Sequence, residues 1–182
     1  MAIEPLLGAR PGSRWLDLGT GGGLPGLALA VIRPDVTWTL VDATAKKIES
    51  VRAFAAELGL ENVTALAGRA ETLAHRPELR GRYGGVVSRA VAPLGVLAEL
   101  ARGFLVDQGV LLAVKGPRWS AELRDARAAL EILGFVEPQA VEVPTTERPT
   151  WLVTMRAQGP VPPGFPRRDG VPRAKPLGRP RG

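Results

Sequence analysis

The residues best suited to chemistry in this chain lie in one short run, Asp17-Leu-Gly19-Thr-Gly21-Gly-Gly23. Gly19, Gly21, Gly22 and Gly23 permit positive φ and let a ligand approach the backbone without meeting a Cβ. Before them, Trp15, Leu16 and Leu18 make a short apolar run that stops at Gly19, the pattern of a central parallel strand covered on both faces. After them, Leu27, Leu29, Ala30 and Ile32 continue as a buried helix. A strand, a glycine turn and a helix in that order seat a ligand on the helix N-terminus, where unpaired N–H groups and the positive dipole end favour a carboxylate or phosphate.

Two cofactor classes fit that turn. Gly21 to Gly26 satisfy the G-x-G-x-x-G dinucleotide pattern, and Asp42 follows about 20 residues on at the end of a second strand, where a carboxylate can accept from both hydroxyls of a ribose. NAD is therefore one candidate. The other is S-adenosylmethionine: Asp17, two residues before Gly19, and the spacing Gly19-x-Gly21-x-Gly23 resemble the first motif of methyltransferases that use it. There an acidic residue at the strand end stands near the ligand's amino-acid end.

The composition excludes several chemistries. The chain has 182 residues, no Cys and a single His, so disulfides, Cys-based metal sites and a cysteine nucleophile are ruled out. His75 stands in a polar loop without other ligand types at metal spacing and is given no role. No apolar run is long enough to span a bilayer, and Glu4 and Pro5 replace the basic and apolar leader of a signal peptide, so a cytoplasmic protein without a membrane partner is expected. The net charge of +6 is uneven. Residues 1–158 hold 18 Lys and Arg against 17 Asp and Glu, whereas residues 159–182 hold 6 against 1. A basic tail on a near-neutral body suggests a polyanionic partner.

The elements that must position these residues follow in a regular alternation. Residues 1–12 read as one helical turn and a loop, then a first strand spans about 13–18. Pro25 suits the first turn of the next helix and Pro34 ends it near Arg33. Thr37–Asp42 is a second strand, and Thr44 caps a helix carrying Ile48, Val51, Ala55 and Leu58 that stops at Gly59. Asn62–Ala67 is a third strand, whose following loop, Gly68-Arg-Ala-Glu71, faces the same crevice and can offer backbone groups to an adenine edge. Tyr83–Ser88 is a fourth, placing Arg89 at the crevice before a helix with Leu94, Leu97, Ala101 and Phe104. Gly109–Lys115 is a fifth, bringing Lys115 to the same edge, and Ser120 caps a helix through Leu123, Leu130 and Leu133 to Gly134. Two last strands, about 135–143 and 151–156, close the sheet as an antiparallel pair. From Gly159 onward, Pro and Gly make up 12 of 24 residues, which predicts an extended tail without regular structure.

Taken together, Gly19-Thr-Gly-Gly-Gly-Leu-Pro-Gly26, Asp42 with Lys46-Lys47, Gly68-Arg-Ala-Glu71, Ser88-Arg-Ala-Val-Ala-Pro93, Lys115-Gly116 and Phe165-Pro-Arg-Arg resemble one family over Leu7 to Leu177. It is the RsmG family, also called glucose-inhibited division protein B, of bacterial guanine-N7 methyltransferases acting on 16S ribosomal RNA, at guanosine 527 in family usage. The resemblance implies an α/β fold: a doubly wound, mostly parallel, seven-stranded Rossmann-like sheet of the class I S-adenosylmethionine-dependent type with an antiparallel last strand. It divides the chain into a methyltransferase domain over 1–158 and a basic Pro/Gly-rich tail over 159–182. It implies S-adenosylmethionine held by Gly19, Leu24, Ala70, Glu71 and Arg89, beside Asp17, Gly21, Gly23 and Asp42 from the motif itself. The family's helical N-terminal segment is missing ahead of the first strand, which opens the alternative of a non-catalytic RNA- or cofactor-binding remnant; a dinucleotide oxidoreductase is the other.

Guanine N7 carries an in-plane lone pair and no proton, so no general base is needed. Arg89 or Lys115 is then expected to fix guanine O6 by a donor hydrogen bond, which adenine cannot accept at the corresponding position. Lys46, Lys47, Lys115, Arg167, Arg168, Arg173 and Lys175 are the candidates for contacts with RNA, the partner in the small ribosomal subunit. Trp15, Trp38 and Trp151 lie in strands and read as core, leaving Trp119 as the aromatic placed for stacking. No metal is expected, and the expected state is a monomer.

Overall fold

The computed structural model describes residues 12–144 and 148–178. The expected helical turn near the N-terminus and part of the Pro144–Pro149 turn lie outside the described residues.

Seven strands form one sheet: β1 (Arg14–Leu18), β2 (Thr37–Asp42), β3 (Val63–Ala67), β4 (Tyr83–Arg89), β5 (Leu105–Lys115), β6 (Phe135–Val143) and β7 (Thr150–Ala157), in the order β3-β2-β1-β4-β5-β7-β6. The pairs from β3 to β5 are parallel, and β7 runs antiparallel to both β5 and β6. The order reverses between β1 and β4, which opens a crevice at the carboxyl ends of those strands.

Helices cover both faces, and strand periodicity decides which residue meets which helix. Trp15, Trp38 and Leu40 pack with α1 (Gly26–Ile32) and α2 (Ala45–Glu57) through Leu29, Ile48 and Val51. On the opposite face Leu16, Leu18, Leu111 and Val153 pack with α4 (Leu94–Arg102) and α5 (Trp119–Leu133) through Leu97, Ala101, Leu130 and Leu133. A one-turn α3 (Ala70–Leu73) follows β3.

Several local expectations are corrected. β5 begins at Leu105, not Gly109, because three extra residues are accommodated between the Tyr83–Leu105 and Gly85–Val110 pairs, with Gln108 at φ 62°. Phe104 is therefore outside α4, yet fully buried. Pro25 occupies the N-cap of α1 and not its first turn. Neither Thr44 nor Ser120 caps a helix with its hydroxyl: the Thr44 N–H donates to Asp42 Oδ1 at 2.8 Å, and α5 starts one residue before Ser120.

The largest departure is the C-terminal segment. Residues 159–178 fold back on the body and include a short helix, α6 (Val171–Ala174). Two charged side chains of α4 anchor it. Glu99, fully buried, accepts from Arg167 Nε at 2.8 Å and Nη2 at 2.7 Å. Arg102, also fully buried, donates to the carbonyls of Leu133, Gly159 and Pro160 at 2.7–2.8 Å, and to those of Leu105 and Gln158 at 3.3 Å. Burial disfavours its charged form, and the circle of carbonyl dipoles replaces the lost water. Arg102→Met orphans several buried carbonyls at once, and a loss of about 3 kcal/mol or more in urea-unfolding stability is expected, with Arg102→Lys falling in between.

Candidate cofactor and RNA site

The crevice between β1 and β4 holds a cavity of about 320 Å³, at the lower end of the range for small-molecule sites. Its wall is built from four of the strand ends the sequence pointed to: Gly19 and Gly21 after β1, Asp42 at the end of β2 and Lys47 beyond it, Gly68, Ala70 and Glu71 after β3, and Arg89 at the end of β4 with Ala90 and Val91 beyond it. Arg173 of α6 completes it.

The glycine turn is shaped by Asp17. This aspartate is fully buried, and its Oδ2 accepts from Thr20 Oγ1 at 2.7 Å and from the Gly26 N–H at 2.9 Å. The carboxylate thus ties the turn to the first amide of α1. A Cβ at Gly26 would stand 2.6 Å from that same oxygen, so only glycine lets the helix start so close to the strand. Gly19, at φ +71°, takes the left-handed conformation, and a Cβ there would collide with Val91.

Burial pushes the Asp17 carboxyl up to about 6, against the lowering effects of Thr20, Gly26 and the charge of Arg89, while Asp42 raises it further. Asp17 Oδ1 has no partner among the described residues. An orphaned, buried acceptor beside a second carboxylate fits a ligand with a cationic amino-acid end, as S-adenosylmethionine has. Asp42 fits the ribose: Oδ2 receives the Gly21 N–H at 3.0 Å and Oδ1 the Thr44 N–H at 2.8 Å, leaving lone pairs for hydroxyls.

Glu71 is nearly fully buried. Burial is the largest single influence and opposes its charge, but the Gly170 N–H and Arg69 outweigh it and hold the carboxyl below its ordinary value. Gly170 donates at 3.0 Å and Arg69 at 2.9 Å, so the C-terminal segment and the loop after β3 share one carboxylate at the cavity.

Other predicted residues fall elsewhere. Gly23 and Leu24 are outside the cavity lining, and Leu24 is 49% exposed. Lys115 does not line it either. Its ammonium, buried against the body, donates to Ala92 O at 2.6 Å and Glu122 Oε2 at 2.7 Å. Arg167 turns inward to Glu99, and its Nη2 also donates to Lys175 O at 2.8 Å. Lys46, Arg168 and Lys175 are exposed. Arg89 is exposed at the cavity, and its guanidinium has no hydrogen-bond or ion-pair partner among the described residues. His75 holds the C-terminal segment through Nε2 and Pro166 O at 2.8 Å, and Trp119 packs 6.5 Å from Trp151. Among the described residues no cluster of His, Asp and Glu is fit to hold a metal, and no helix is long and apolar enough to cross a membrane.

The sheet order, the antiparallel end and the glycine cradle define the class I S-adenosylmethionine-dependent methyltransferase type. A structure titled as a predicted O-methyltransferase from Agrobacterium tumefaciens superposes with a TM-score of 0.68 at 19% identity, covering 85% of this chain and 78% of its own. A further one, an S-adenosylmethionine-dependent O-methyltransferase from Thermotoga maritima, gives 0.64 at 14% identity over 86% and 63%; at such identities the likeness is one of fold. Residues 3–151 match the family described as GidB, rRNA small subunit methyltransferase G, and the chain belongs to that family. Its relatives include ribosomal RNA small subunit methyltransferase G of Deinococcus radiodurans, 47% identical over 97% of this chain and 71% of the relative. The protein of the same name from Deinococcus deserti is 50% identical over 89% and 67%. Membership removes the oxidoreductase alternative.

The raised Asp17 carboxyl makes a pH prediction. The folded state holds this proton more tightly than the unfolded chain, so its stability is greatest below the ordinary value of 3.8 and declines as pH rises to about 6. In urea titrations wild type should lose about 3 kcal/mol relative to Asp17→Asn between about pH 4 and pH 7.

Proposed function

We propose that this protein transfers a methyl group from S-adenosylmethionine to the N7 of a guanine in 16S ribosomal RNA within the small ribosomal subunit, acting as a cytoplasmic monomer. The observation that carries the reading is an unpaired Arg89 guanidinium at the edge of a cavity whose carboxylates, Asp42 and the neighbouring Asp17, suit this cofactor.

Bound in the cavity, S-adenosylmethionine supplies an electrophilic methyl on a sulfonium. Asp42 would hold its ribose and Asp17, next to the lining residues Leu18 and Gly19, would attract its ammonium end, while Gly68, Ala70 and Glu71 would border the purine. Arg89 donates to guanine O6 and so presents N7, whose lone pair needs no proton removed, to the methyl in line. Positioning of this kind is worth about 7–11 kcal/mol in well-oriented reactions, which accounts for a site without a general base. Lys47 at the cavity, and the exposed Lys46, Arg168 and Lys175, contact RNA phosphates.

The direct test is transfer of labelled methyl to small subunits that lack the modification, followed by nucleoside analysis; label is expected in 7-methylguanosine. Folded protein that binds the cofactor and transfers nothing would favour the non-catalytic alternative. Arg89→Ala should lower the transfer rate by about ten- to a hundredfold, the effect of losing one charged hydrogen bond. Each phosphate-contacting charge removed among Lys46, Lys47 and Arg168 should lower the slope of log affinity against log salt by about 0.7–0.9.

A further inference from the structure

The loop between β4 and α4 is gripped at two successive carbonyls by cations from different parts of the chain. Arg173 Nη2, from α6, donates to Val91 O at 2.8 Å. Lys115 Nζ, from the end of β5, donates to Ala92 O at 2.6 Å. Lys115 is only 8% exposed and is neutralised by Glu122 at 2.7 Å, and the same Glu122 Oε2 accepts the Leu94 N–H, the first amide of α4, at 3.1 Å.

What these contacts hold is a loop that would not keep its shape alone. Ala90 sits at φ 56°, a left-handed conformation that a residue with a Cβ keeps only when its surroundings over-determine it. On either side of it, Arg89 and Val91 line the cavity, and Val91 abuts Gly19 of the glycine turn.

We propose that Arg173, and Lys115 together with Glu122, are positioning residues: a two-cation clamp on the carbonyls of Val91 and Ala92 that fixes Arg89 where it presents the base to the methyl donor. This rests on the methyl-transfer reading above. Hydrogen bonds from cations are the strong kind, and Lys115 lies where it cannot exchange them for water. Without them Ala90 relaxes from its left-handed conformation and moves Arg89 with it. Asp17, Asp42 and Glu71, which the same reading sets against the cofactor, lie on β1, β2 and α3 and stay in place. Lys115 thereby acts on the reaction through Arg89, without touching the base.

The test compares wild type with Lys115→Met, Lys115→Met/Glu122→Gln, Arg173→Met and Arg173→Lys. Cofactor affinity is measured by calorimetry, stability by thermal melting, methyl transfer to small subunits as kcat and KM, and amide exchange over residues 89–96. Lys115→Met should lower kcat by about tenfold or more, Arg173→Met by a smaller factor that Arg173→Lys largely restores, with cofactor Kd within about threefold of wild type in the Lys115 variants, whose side chain stands outside the cavity. Exchange over 89–96 should quicken in both Met variants. In the double variant the stability lost to an unpaired Glu122 should return while kcat stays low, which a merely structural role would not produce. Rates within about twofold of wild type in both Met variants, a kcat that recovers together with stability, or a loss explained entirely by cofactor affinity would overturn the clamp. If wild type itself transfers nothing, the methyl-transfer reading falls instead, and the exchange over 89–96 still decides whether the cations hold the loop.

Discussion

Everything at the working edge of this protein depends on one buried carboxylate. Asp17 joins the end of β1 to the start of α1 through a single oxygen that receives both the Thr20 hydroxyl and the Gly26 amide. That arrangement needs a glycine at position 26, where a side chain would intrude on the same oxygen. It brings the helix N-terminus close to the strand end and sets the glycine turn above it. The cost is a charge in a dry place, felt as a carboxyl that ionises reluctantly. The second oxygen shares that cost: it is buried and has no hydrogen-bond partner among the described residues.

Around this centre the protein uses cations on backbone oxygen more than cations on carboxylates. Arg102 has five carbonyl acceptors and no carboxylate within ion-pair distance among the described residues. Arg80 donates to the carbonyls of Ala74, Pro162 and Phe165, and Arg173 to that of Val91. Where carboxylates do take part, as with Glu99 and Glu122, the same group also accepts a backbone amide, from Arg167 and Leu94. Charge is therefore used to fix chain segments that have no regular ladder of their own.

This explains what the sequence could and could not tell. The central strands β1, β2 and β4 were legible because both faces are covered and their apolar runs are nearly continuous, and the cradle was legible because glycines at Gly19, Gly21 and Gly26 answer local needs within ten residues of chain. Asp42 and Arg89 were legible as residues at the carboxyl ends of strands beside the crevice. The direction of a long side chain was not. Lys115 follows its strand to the expected edge, but Glu122 lies one helical turn inside α5, and only the packed structure shows that the two meet. Arg167 and Arg168 look alike in the sequence, yet Glu99, 68 residues away from the first, separates a tether from an exposed cation. The composition of residues 159–178 suggested an extended chain, since Pro and Gly do lack regular structure. It held no sign that Arg80, Arg102 and His75 would receive the segment.

That reception has a chemical logic of its own. Proline removes an N–H donor but keeps its carbonyl, so a proline-rich stretch is a line of acceptors with few donors to satisfy. The body answers with donors from Arg80, Arg102 and His75, at the carbonyls of Gln158, Gly159, Pro160, Pro162, Phe165 and Pro166. A segment read through its oxygens is largely indifferent to its side chains at those positions, so its sequence is free to drift while its path is kept. It also offers little to a foreign strand, because an edge short of N–H groups cannot complete a ladder. Residues 159–178 are thus a covering that a neighbouring chain has difficulty extending.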